Sequence, residues 1–152
     1  TEWIKFIMNS FQRTGKEIST EDAGLIVEKV KSHSWYVQQL SHFVWSATRK
    51  AVTVEIVDKA FSQIVNTNLP LYVAECEALS ITQLNLLIAI AKGESILTGA
   101  TTMSKYKLGT PQNVSKNKIV LEQKDILDKT VEGFYFLDPV FEFWFKSEYV
   151  DG

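Results

Sequence analysis

Gly109-Thr110-Pro111-Gln112-Asn113-Val114, followed by Leu127-Asp128-Lys129-Thr130-Val131-Glu132-Gly133-Phe134-Tyr135-Phe136-Leu137, decides how this chain folds. Gly109 closes a short helix before it, and Thr110 offers a side-chain oxygen to cap the next. Pro111 suits a first helical position, where its missing N–H would have no partner anyway. Val114 and Leu121, seven apart, anchor that helix on a core, and Gln112, Asn113, Lys116 and Asn117 are expected to point elsewhere. The apolar period then changes to two. Residues 127–131 and 134–137 are expected to pair about Glu132-Gly133 as a tightly turned hairpin.

Upstream of this stretch, Ser80 and Gln83 form a capping box, and Leu84, Leu87, Ile88 and Ala91 define a helix stopped by Gly93. The short helix closed by Gly109 covers about residues 101–107. Downstream, Asp138-Pro139 supplies a cap and a first position for a terminal helix bearing Val140, Phe141, Phe143, Trp144 and Phe145. Helix, short helix, proline-started helix and glycine-turned hairpin, in this order, are the layout of a winged helix. That is a helix-turn-helix variant which places one helix in the major groove. On this reading Gln112, Asn113 and Lys116 face the groove, and Lys105, Lys107 and Lys118 are available to phosphates. No acid occurs in residues 95–121, where these four lysines lie. The competing reading is a solvated lysine face on a domain that packs against protein.

The first part of the chain reads as four helices. Trp3, Phe6, Ile7 and Phe11 fall at helical spacing before Thr14-Gly15. Ser19 and Asp22 cap a second helix with Ala23, Ile26, Val27 and Val30 on one face, and Ile18 can staple it. Val37, Leu40, Val44 and Ala47 make a third, its stripe widened by Trp35, Tyr36, Phe43 and Trp45. Thr53 caps a fourth with Val57, Ala60, Phe61 and Ile64, expected to end at the polar residues 66–68 ahead of Pro70. The expected fold is therefore mainly α: a small helical bundle over residues 1–68, then a winged-helix domain with a β-hairpin wing and an aromatic last helix over residues 69–152.

The 152 residues are 45% apolar and 22% charged, the composition of a globular chain. A net charge of -2 provides no global field toward nucleic acid or an anionic membrane, so such binding must come from a local patch. Cys76 is the sole cysteine, which excludes an internal disulfide and suits a reducing, cytoplasmic setting. No apolar run approaches the roughly 20 residues of a membrane helix. The chain starts at Thr1 without a signal-like segment, and it reads as a piece of something longer. Gly93 and Gly99 are six apart and followed by Ala100, so the chain has no P-loop. His33 and His42 lack a third ligand at a metal-binding spacing, and no nucleophile motif accompanies them. Eight of the eighteen aromatics lie in residues 134–149. They either close the core or form a docking surface.

Four segments carry a family resemblance: Gly15-Lys16 after the aromatic helix, Ser32-His33-Ser34-Trp35-Tyr36-Val37-Gln38, the helix start at Ser80, and Asp138-Pro139-Val140-Phe141-Glu142-Phe143-Trp144. Together, over residues 3–149, the chain resembles the C-terminal half of the prokaryotic archaeal-type AAA-like P-loop ATPases, relatives of the STAND class. The resemblance implies that residues 1–68 are the lid that closes over ATP and that the rest is the winged helix. ATP and Mg would then bind in an upstream P-loop domain of the same protein. It also implies a nucleotide-facing turn at Ser32 and His33, although the glycine and proline of the family's turn are absent here. The partners to expect are that upstream domain and either double-stranded DNA or a protein, with no membrane. The alternative is a stand-alone winged-helix DNA-binding transcriptional regulator.

Overall fold

The computed structural model describes residues 1–152 and divides into two compact units, Thr1–Asn68 and Leu69–Gly152. In the first, α1 (Glu2–Arg13), α2 (Thr20–Lys29) and α3 (Ser34–Ala47) pack around Ile7, Phe11, Ile26, Val37, Leu40 and Val44. The Ser19 hydroxyl accepts the Asp22 amide at 2.9 Å, so the α2 cap forms as its residue types dictate. Residues 14–17 are tied down by Trp45: its indole N–H donates to Thr14 Oγ1 at 2.8 Å, and Lys16 Nζ donates to its carbonyl at 2.6 Å.

The fourth helix does not end at residues 66–68: α4 runs Val54–Glu77 with Pro70 inside it. A proline in a helix interior removes one backbone bond and costs about 3 kcal/mol. Burial further along the helix opposes that cost. Thr67 Oγ1 donates to the Gln63 carbonyl at 2.8 Å and Asn68 Nδ2 to that of Ile64 at 3.0 Å, so polar residues expected to break the helix bond back onto it. Tyr72 and Cys76, four apart beyond the proline, are both buried and continue the helical period.

The second unit continues from α4 with α5 (Ile81–Ala91), α6 (Ala100–Tyr106) and α7 (Pro111–Gln123), then β1 (Leu127–Thr130), β2 (Gly133–Phe136) and α8 (Pro139–Tyr149). The α5 capping box is complete, with both Ser80 and Gln83 side chains engaged. β1 and β2 pair antiparallel from Leu127 against Phe136 to Thr130 against Gly133. The turn is thus Val131-Glu132 rather than Glu132-Gly133. Gly133, at φ +130°, is the first residue of β2. Asp138 caps α8 as expected, its Oδ1 accepting the Val140 and Phe141 amides at 2.9 and 3.0 Å. Phe136, Phe141, Trp144 and Phe145 are buried, so half of the aromatic-rich tail closes the core. Phe143 and Tyr135 stay exposed. No helix is long and apolar enough to cross a membrane.

Candidate functional site

α7 owes its position to the turn before it. Helix α6 ends with Lys107 in the left-handed region, φ 56°, and its carbonyl accepts Asn85 Nδ2 at 3.4 Å. The stop therefore falls at Lys107, two residues before Gly109. Leu108 is buried, and Gly109 then takes φ +86°. The backbone angle favours glycine here, and a Cβ on Gly109 would lie 2.7 Å from Asn113 Nδ2, so that exposed side chain would have to turn aside. Thr110 Oγ1 accepts the Asn113 amide at 3.2 Å, and Pro111 opens the helix.

Val114 and Leu121 are buried and pack α7 against α5. Asn117 joins them, contrary to the outward position expected from its polarity. It is 7% exposed, and its Nδ2 donates to Thr82 Oγ1 on α5 at 3.3 Å. A buried amide needs a partner, and the Thr82 hydroxyl on the facing helix supplies one. At about 100° per residue, an inward face at 114, 117 and 121 directs 112, 115, 116, 119 and 123 outward. Gln112, Ser115, Lys116, Ile119 and Gln123 are all exposed. Ser115, Ile119 and Gln123 were missed in the sequence, although the spacing of Val114 and Leu121 already implied them.

The remaining expected residues surround this face. Asn113 is exposed on one flank, beside Gly109. Lys118 lies on the other flank, half-buried, its ammonium 5.9 Å from the Phe134 ring centre. There it lines a cavity of about 210 Å³ with Glu94, Glu132 and Phe134. Lys105 is exposed on α6 and pairs with Glu94 at 3.6 Å, an acid that also accepts the Tyr106 hydroxyl at 3.0 Å. Lys107 is exposed at the α6–α7 turn. In the wing, the Tyr135 hydroxyl donates to Asp128 Oδ2 at 3.2 Å, which pushes the phenol above its ordinary range. Val131 is fully exposed at the tip.

Ser32 and His33 belong to the first unit and are both exposed. Lys31 and Ser32 are consecutive left-handed residues, φ 49° and 60°, an uncommon conformation for side-chain-bearing residues. His33 is the N-cap residue of α3 with no side-chain cap bond, and its ring lies 5.1 Å from that of Tyr36.

Taken together, the second unit presents one open helix face that mixes hydrogen-bonding and apolar side chains, with lysines around it. Such a face can dock in a groove and contact both base edges and backbone. Residues 70–147, just over half of the chain, match the model of a family described as a probable winged helix domain. No curated protein and no solved structure matches the chain.

Proposed function

The chain belongs to the probable winged helix domain family, and on that premise we propose that it docks on duplex DNA through the outward face of α7, as the regulatory C-terminal part of a P-loop ATPase. The observation that carries the docking reading is that face itself. Gln112, Ser115 and Lys116 stand exposed on the first turns of α7, in a stretch of 27 residues, 95–121, that contains no acid. Lys105, Lys107 and Lys118 flank it for phosphates, and Asn113 sits at its edge. Phosphate contacts supply affinity, and the α7 face supplies base contacts.

The regulatory setting rests on the family resemblance of residues 3–149. ATP and Mg held by an upstream P-loop domain bias the helical lid, with Ser32 and His33 toward the nucleotide. The lid in turn moves the winged helix between two arrangements. The isolated chain then binds ATP no tighter than millimolar, and micromolar affinity by titration calorimetry would overturn this assignment.

The docking test is fluorescence anisotropy with a labelled duplex of about 20 base pairs, titrated between roughly 50 and 200 mM salt. Three or four phosphate contacts give a log–log salt slope of about -3, and Lys105→Glu, Lys107→Glu and Lys116→Glu together abolish binding. Binding that is absent, or insensitive to salt, removes the DNA reading. A protein-docking role would then take its place, favoured by the exposure of Phe143 and Tyr135.

A further inference from the structure

The composition of the α7 face also restricts what it can read. Among the four base-pair orientations, guanine is recognised in the major groove chiefly by bidentate arginine or lysine. Adenine is recognised by bidentate glutamine or asparagine, and thymine by apolar contact with its methyl group. The chain has only two arginines, Arg13 and Arg49, so none lies within the second unit. Its outward α7 face carries two glutamines, Gln112 and Gln123, one lysine, Lys116, and one large aliphatic residue, Ile119. Ile119 is 56% exposed, although the inward face of the same helix takes Val114 and Leu121 almost completely out of water. Ile81 and Ile96 of the same unit are still more exposed, so it is the position of Ile119 on the α7 face, beside Gln112 and Lys116, that bears on recognition.

We propose that α7 reads A·T base pairs in the major groove, with Gln112 bonding adenine and Ile119 packing on the thymine methyl. This rests on the DNA-docking reading above and assigns its base preference. Gln112 stands on the first turn of the helix, and Ile119 lies seven residues, two turns, further along the same face. The two therefore reach base pairs a few steps apart. Ser115 and Lys116 lie between them. Ser115 is permissive toward either pair, and Lys116 is placed for a flanking phosphate or a single guanine.

Deoxyuridine provides the test, because it removes the thymine methyl and leaves base pairing intact. The intact 152-residue chain is titrated by anisotropy against 16-mer duplexes of alternating AT, AU and GC sequence. Burying one methyl is worth roughly a fourfold change in affinity, so AT binds about fourfold or more tighter than AU, and tighter than GC by about tenfold. Ile119→Ala abolishes the AT-over-AU difference, and Gln112→Ala lowers affinity for both AT and AU. Ile119 is exposed, so its substitution leaves the thermal midpoint unchanged, which separates lost contact from lost fold. Equal affinity for AT and AU, or a difference that persists in Ile119→Ala, overturns the base assignment while duplex binding stands. Failure of all three duplexes to bind overturns the DNA-docking reading itself and this inference with it.

Discussion

The Tyr72 hydroxyl donates to Asp138 Oδ2 at 3.2 Å across 66 residues of sequence. It ties the end of α4 to the cap of α8, because Asp138 Oδ1 already holds the first two amides of that helix. The Tyr72 ring continues the contact, edge-on to Phe141 at 5.3 Å and tilted against Trp144 at 5.7 Å.

Asp138→Ala therefore removes a helix cap and leaves a buried phenol without this acceptor. It costs about 2–3 kcal/mol, and Tyr72→Phe, which leaves the cap intact, about 1 kcal/mol. Urea midpoints of the two variants measure this. Equal losses would mean that the cap contributes nothing of its own.

Gly109→Ala is expected to cost about 1–2 kcal/mol, because its φ of +86° strains a side-chain-bearing residue and Asn113 Nδ2, 2.7 Å from the new Cβ, must move aside. Gly93→Ala is the control, with a similar φ of +88° and no atom within 4 Å. The difference between their thermal midpoints isolates the contact with Asn113, and identical midpoints would show that only the backbone angle matters.

Glu75 is held above the ordinary carboxylate range, first by burial and second by the nearby charge of Asp138. The folded state thus keeps this proton longer than the unfolded state, and stability present at low pH is lost as pH rises through the folded pKa. Glu75→Gln is expected to raise stability at pH 7, by less than about 0.5 kcal/mol because the group is only half-buried and its charge is partly screened. The gain shrinks toward pH 4. Urea unfolding at both values tests the sign, and a larger gain at pH 4 would contradict it.

The Cys76 thiol is buried, and its pKa is pushed up to about 11, chiefly by desolvation. A two-unit rise lowers its thiolate population by roughly a hundredfold at pH 8. Reaction with a disulfide reagent should therefore be about that much slower, or more, in the native protein than in urea. Equal rates in the two conditions would show that this part of the fold opens freely.

The second unit was legible because its signals are local. Thr110-Pro111, Ser80 with Gln83 and Asp138-Pro139 each supply a cap within three or four residues of the helix they start, and the structure uses all three. The outward face of α7 is half legible: the polar types of Gln112 and Lys116 point to solvent, whereas nothing local marks an aliphatic residue such as Ile119 as exposed. Asn117 misled for the converse reason. Its burial depends on Thr82, 35 residues away, and no local pattern announces that pairing.

Residue types and their spacing by themselves determined the helical character, the order of helices and hairpin, and the starts of helices α2, α5, α7 and α8, because caps and periodicity act over a few residues. Tertiary structure alone decided that α4 continues through Pro70, where the burial of Tyr72 and Cys76 opposes a local break. It alone decided the one-residue shift of the hairpin turn and which polar side chain faces inward on α7. The burial of Asn117 is settled by Thr82, a partner distant in sequence whose position exists only once the chain has folded, and the turn is settled by the cross-strand pairing of Thr130 with Gly133.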